Sequence, residues 1–201
     1  MGNKLKEKQR ERLRDKIVNG AVQYKNKLMN KEFLVIVEDG CEYTVRFFEK
    51  DFVHLTGVSS DLSDERFFEN SLMGTLSDGN ILEDQKYNWS TLKGKTDRIE
   101  KIDQIIYGKT ENSLFMINLH TNTGDYPVAI RNKDFETCVG FRDKIHRART
   151  LRKYANSADA DMEKEIIAIV SRKAGESVYD EIVYLKDAKL LTEKECWCGR
   201  I

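Results

Sequence analysis

Two β-rich runs that meet at Asp39-Gly40 constrain this chain more than any other feature. Glu32-Phe33-Leu34-Val35-Ile36-Val37 and Glu42-Tyr43-Thr44-Val45-Arg46-Phe47-Phe48 carry the β-branched and aromatic side chains that suit a pleated, half-buried surface. The dipeptide between them suits the φ > 0 positions of a tight hairpin turn. In the second run Glu42, Thr44 and Arg46 alternate with Tyr43, Val45 and Phe47, which predicts one wet face. Leu34, Val35 and Ile36 are contiguous, so the first strand is expected to be the more buried. An isolated hairpin is barely stable in water, so the rest of the chain must cover this one.

Helical periodicity surrounds it. Residues 3–30 read as a charged helix with Leu5, Leu13, Ile17, Ala21, Tyr24 and Leu28 on its apolar side. Asp61 or Ser63 can cap a short helix ending at Met73, and Ser90 opens another to about Tyr107, with Gly108 as its C′ residue. Strands are expected over 113–120, 125–131, 136–142, 165–173 and 178–186, with Pro127 at an edge or a strand start. Residues 144–163 read as an irregular loop or a partly helical excursion. The tail, 188–201, reads as a short amphipathic helix. The expected class is α+β: N-terminal helices followed by an antiparallel β-sheet. The expected organisation is a charged helix over 1–30, one α+β domain over 31–187 and a tail.

A hydrophobic content of 40% can build a core in 201 residues, and 34 basic residues balance 34 acidic ones. Global charge therefore gives no argument for a polyanionic partner. Local charge does, because residues 142–153 hold six cations (Arg142, Lys144, Arg147, Arg149, Arg152 and Lys153) against Asp143 alone. A second basic stretch, residues 4–16, has acids interleaved, which favours a solvated or partner-binding helix. Cys41 and Cys138 sit singly, and Cys196-Trp197-Cys198 lacks a second pair at zinc-ligand spacing, so reduced thiols and no metal or cofactor are expected. The charged N-terminus is no secretory signal, and no apolar run is long enough to span a bilayer. The expectation is a cytoplasmic protein with no membrane partner.

The chain has three histidines, His54, His120 and His146, and His54 stands two positions before Thr56 in Asp51-Phe52-Val53-His54-Leu55-Thr56-Gly57. One reading is a turn whose imidazole and hydroxyl bond to backbone. The other is chemical: an imidazole titrates near neutral pH and can move protons to or from an alcohol. Within 142–153, arginine forks with His146 and Thr150 beside them suit a phosphate. That reading makes Arg142, Lys144, His146, Arg147, Arg149, Thr150 and Arg152 candidate phosphate ligands, against the plainer reading of a solvated basic face. Lys93-Gly94-Lys95-Thr96 mimics the end of a P-loop but lacks the upstream glycine and strand.

The stretch from Tyr43 to Gly57, a strand ending in Phe47-Phe48 and then Phe52-Val53-His54-Leu55-Thr56-Gly57, followed by the paired aromatics Phe67-Phe68, resembles one family. It is the phage- and mobile-element-associated branch of the nuclease superfamily that groups barnase, EndoU, colicin and RelE. The resemblance implies a barnase/RelE-like architecture and a metal-independent ribonuclease site. There a base deprotonates a ribose 2′-hydroxyl and an acid protonates the departing 5′-oxygen. It implies His54 as the general acid or base and Thr56 as a polar group near the phosphate. The second acid/base is not identified, with His120 and His146 as the candidates. RNA, tRNA included, is then the expected partner, alongside a host or immunity protein. The alternatives are a non-catalytic protein of phage–host conflict that binds a host protein or nucleic acid, and a small hydrolase of a phosphorylated nucleotide.

Overall fold

The computed structural model describes residues 5–82, 87–108, 110–153 and 159–187. The expected tail helix, with Cys196 and Cys198, lies outside them, as does Tyr154, which with Tyr179 and Tyr184 is a sequence candidate for base stacking or proton relay.

Helix α1 (Glu7–Gln23) buries Leu13, Ile17 and Ala21 at four-residue spacing. It ends in a π turn, Tyr24–Leu28, closed by Met29 N–H on Tyr24 O at 3.0 Å, and both Tyr24 and Leu28 are fully buried. Strands β1 (Lys31–Val37) and β2 (Glu42–Arg46) form the expected antiparallel hairpin. Its turn differs in detail. Gly40 alone takes positive φ, at 80°, and its N–H reaches Val37 O at 2.8 Å. Asp39 instead accepts from Cys41 N–H through its side chain.

A 3₁₀ turn (Glu49–Asp51) leads into α2 (Phe52–Thr56), and α3 (Asp64–Met73) follows with Ser63 as its N-cap. The single helix expected to Tyr107 is two. Helix α4 (Trp89–Ile99), capped by Asn88, breaks before α5 (Gln104–Tyr107). At the break the N–H groups of Lys101 and Ile102 bond three residues back, tightening the chain so that Ile99, Ile102, Ile105 and Ile106 are all buried. Gly108 is extended (φ −74°, ψ −165°), not a left-handed cap.

The remaining strands are β3 (Ser113–Leu119), β4 (Tyr126–Asn132), β5 (Thr137–Arg142), β6 (Arg147–Lys153), β7 (Ala160–Lys173) and β8 (Glu181–Leu185). The loop or helical excursion expected over 144–163 is therefore mostly strand. Pro127 lies near the start of β4, which has neighbours on both sides. Among the described residues the sheet order is β1-β2-β6-β5-β4-β3-β7-β8, and β1 also pairs with β7. That pairing closes seven strands into a barrel, with β8 attached outside the ring. The expected antiparallel sheet is corrected accordingly: the ring is closed and mixed, because β2 meets β6 in parallel. Closure depends on the length of β7, whose first part pairs with β3 and whose second part pairs with β1. The first part, Asp161-Met162-Glu163-Lys164-Glu165, is too polar to announce itself as a strand. Its backbone bonds to β3 hold it, and Glu163 and Lys164 add ion pairs to Arg131 and Asp39.

Ring contacts identify the barrel interior. Tyr43 of β2 lies 4.5 Å from Phe115 of β3, and Phe47 lies 5.6 Å from Phe141 of β5, although neither pair belongs to adjacent strands. Phe33, Val35, Val45, Ile130, Val139 and Ile169 share this core with α1, α3, α4 and α5. At about 1.5–3 kcal/mol for each fully buried large apolar side chain, Leu13, Ile17, Tyr24 and Leu28 make α1 and its π turn part of the core rather than an appendage.

The parallel seam positions everything that follows. Among the described residues β2 and β6 pair at one position, Arg46 with Arg147, where Arg46 N–H reaches His146 O at 3.2 Å. Helices α2 and α4 pack along β6 beyond it. Lys95 of α4, itself buried, donates to Leu151 O at 2.7 Å and so satisfies a strand carbonyl that lacks a neighbouring strand.

Candidate active site

Helix α2 is one turn long and presents one residue outward. Phe52, Val53, Leu55 and Thr56 are buried, whereas the His54 side chain is 39% exposed. Gly57 ends the turn at φ 78°, with its N–H on Val53 O at 3.3 Å. A Cβ there would overlap Lys95 Cδ, so both the backbone angle and the passage of the lysine stem require glycine. Thr56 is fully buried. Its hydroxyl donates to Val53 O at 2.6 Å and accepts from Val58 N–H at 3.3 Å. Thr56, expected near the phosphate, has a hydroxyl that finishes the turn and faces no open space.

Asp51, at the entrance to α2, is also fully buried and gathers two arginines from β6. Arg147 Nε lies 2.9 and 3.0 Å from its two carboxylate oxygens, Arg147 Nη2 bonds it as well, and Arg149 Nη1 lies 3.1 Å away. The carboxylate holds the Arg147 guanidinium above its ordinary pKa. Arg147 is therefore a tether between β6 and α2. Arg149 is bonded but still 30% exposed. It is also the extra residue in the ladder: Phe141 pairs with Ala148 and Gly140 with Thr150, leaving Arg149 bulged. A bulge re-aims the side chain it carries.

Arg149, His54, Arg142, Thr150, Tyr126 and Tyr87 line one cleft of about 630 Å³ on the outer face of β4, β5 and β6. Its floor is tight, because a Cβ on Gly140 would fall 2.7 Å from Tyr126 Cγ, so glycine lets that ring lie flat on β5. Arg142 covers the other face of the ring at 4.6 Å and donates Nε–H to Asp125 O at 3.0 Å. His54 Nε2 stands 3.5 Å from Asp64 Oδ2. Partial desolvation first, and Arg149 next, push the imidazole below its ordinary pKa and outweigh Asp64 and Asp51, which act the other way. The shift favours the neutral imidazole, the form able to accept a proton.

The other expected ligands scatter. Lys144 is exposed in the β5–β6 turn. His146 takes φ 44° and sets Nδ1 3.1 Å from Thr44 O, so it serves the seam. Arg152 lines a neighbouring cleft. His120 sits between Asp125 (3.1 Å) and Asp161 (3.2 Å), whose hydrogen bonds raise its pKa, and it does not line the cleft. Neither histidine joins His54. Tyr179 lies under Arg172, and Tyr184 packs on the core. Sequence reasoning missed Asp51, Tyr126, Tyr87 and Lys95. Asp51 lay within the motif, but nothing near it in the sequence marks its pairing with arginines 96 and 98 residues away. Lys95 stood in the Lys93–Thr96 stretch set aside as an incomplete P-loop, and the two tyrosines had no local signal. Among the described residues no group of three or more His, Cys, Asp or Glu is arranged to hold a metal ion, and no helix is long and apolar enough to cross a membrane.

The model of one protein family, described as phage-Barnase-EndoU-ColicinE5/D-RelE like nuclease4 (PBECR4), matches residues 16–188. No curated protein and no solved structure matches the chain.

Proposed function

Because the chain belongs to the phage-Barnase-EndoU-ColicinE5/D-RelE like nuclease4 family, we propose that the His54 cleft cleaves RNA without a metal ion, by attack of a ribose 2′-hydroxyl on the adjacent phosphate. The observation that carries this reading is the convergence of one imidazole with two arginines and a phenol in a single cleft. His54 takes the 2′-hydroxyl proton as general base, with Asp64 orienting the ring. The 2′-oxygen bonds to phosphorus, and the bond to the 5′-oxygen breaks. Arg149 and Arg142 supply the positive charge that the crowded phosphorane needs, in place of a metal. Tyr126 gives its proton to the leaving 5′-oxygen and regains one from solvent. The products are a 2′,3′-cyclic phosphate and a free 5′-hydroxyl. RNA, tRNA included, is the substrate class, because DNA lacks the nucleophile.

The test is incubation of the purified protein with total RNA in EDTA, followed by analysis of the new ends. Cyclic-phosphate ends are expected, and His54→Ala should lower the rate by about 10²–10⁴. A folded His54→Ala protein that still cleaves at the original rate removes His54 from the mechanism. Intact RNA with the unaltered protein moves the weight to non-catalytic binding of a host protein or nucleic acid.

A further inference from the structure

A second cleft of about 600 Å³ adjoins the first and shares Tyr87, Thr123 and Thr150 with it. It runs between α4 and the C-terminal half of β6. Five cations line it, Lys93, Lys95, Arg98, Arg152 and Lys153, against the carboxylates of Asp97 and Asp159. Most of these charges are committed. Asp97 is bonded by Lys16 and Lys93, Arg98 donates to Gly94 O and Glu136 O, and Lys95 donates to Leu151 O. Arg152 differs, because its Nη1 is buried with no hydrogen-bond partner among the described residues. Arg152 also lines the cleft wall, so its guanidinium has donor capacity that an acceptor entering the cleft can use. At the junction of the two clefts the Tyr87 ring stands with Lys95 Nζ 5.1 Å from its centroid, a cation-backed platform for a base.

We propose that this second cleft is a subsite for the RNA strand leaving the His54 cleft, with Arg152 binding a phosphate beyond the scissile one and Tyr87 stacking the base between them. The inference rests on the proposed function for its polarity but not for its binding chemistry. It commits to a single strand: the cations lie in concave clefts beside an aromatic ring, whereas a duplex hides its base faces and is gripped across an open groove.

Binding is read by fluorescence anisotropy in EDTA with a 2′-O-methyl RNA of about 12 nucleotides and with a 2′-O-methyl dinucleotide, neither of which can be cut. The longer probe should bind the unaltered protein more tightly. Arg152→Met should weaken it about tenfold and reduce the slope of log K against log salt by about 0.7, the value for one phosphate on a single strand. The same variant should melt at a higher temperature, because it removes an unsatisfied buried group; Arg152→Lys should recover part of the affinity. Tyr87→Leu should weaken the longer probe without altering the salt slope. Equal affinity and slope in Arg152→Met and the unaltered protein would overturn the subsite. So would a duplex that binds as tightly as the single strand, or no binding of the longer probe at all. These outcomes are independent of turnover, whereas cleavage retained by His54→Ala overturns the catalytic reading alone.

Discussion

Replacing Asp51 with asparagine tests the physical basis of the site directly. The substitution keeps the side-chain shape and one acceptor oxygen at a fully buried position but removes the carboxylate that two guanidinium groups share, leaving Arg147 only Asp143 at 3.8 Å. Removing one member of a buried ion cluster costs about 3–5 kcal/mol, mostly because the remaining charge is stranded. Here the stranded charges can partly rehydrate, since the Arg147 and Arg149 side chains are 17% and 30% exposed. A cost of about 2–4 kcal/mol is the consistent expectation, at the lower part of that class. For a chain of this size it corresponds to a fall in Tm of roughly 5–12 °C, with the urea midpoint moving in parallel at constant slope. The loss should be strongly coupled. Asp51→Asn and Arg147→Met combined should cost at least about 1 kcal/mol less than the sum of the two, because the second substitution removes the charge stranded by the first. Cleavage should also fall, because Arg149 loses the bond that fixes its guanidinium at the cleft wall. An Asp51→Asn protein that melts within about 2 °C of the unaltered one would refute the argument that this carboxylate anchors α2 to β6.

Two further outcomes follow from the same geometry. With the His54 pKa held below about 6.5, the acid limb of kcat/KM should lie below that pH, and stability should decline as pH falls through the window between the unfolded and folded values, where only the unfolded chain gains the proton. Arg149→Met should move the limb to higher pH and Asp64→Asn to lower pH, as their opposite influences on the imidazole require; a limb unmoved by both would exclude His54 as the titrating base. Gly57→Ala should destabilise by about 2–3 kcal/mol in urea titrations, combining left-handed strain with displacement of Lys95, whereas Gly40→Ala, at similar φ with open space around it, should cost only about 1 kcal/mol. Equal costs would mean that the Lys95 contact carries no weight.

What could be read from the chain was whatever a short window encodes. The hairpin at Gly40, a cap at Asp61 or Ser63 (the structure uses Ser63), the turn around His54 and β3 through β5 all follow from local apolar patterning, capping and turn chemistry. The family resemblance also rested on one contiguous motif. Residues 144–163 were misread for a physical reason. On the outer surface of a barrel, a strand can carry arginine, glutamate and lysine at most positions, because its backbone ladder does not require apolar side chains and distant carboxylates or arginines pair with the charges. The helix over 90–107 was misread because its break answers to a core it cannot see from its own periodicity.

The site divides along the same line. The sequence by itself determined that His54 sits on a tight turn ended by glycine and that a cationic stretch lies near residue 150. Only the tertiary structure decided what those features mean. It buried Thr56, turned Arg147 into a tether, bulged Arg149 toward His54 and brought Tyr126 and Tyr87 to the same cleft from distant positions. The reason is that charge and hydroxyl chemistry depend on which groups share a low-dielectric space. In this chain that sharing was set by barrel closure and by a seam where two strands meet at a single pair.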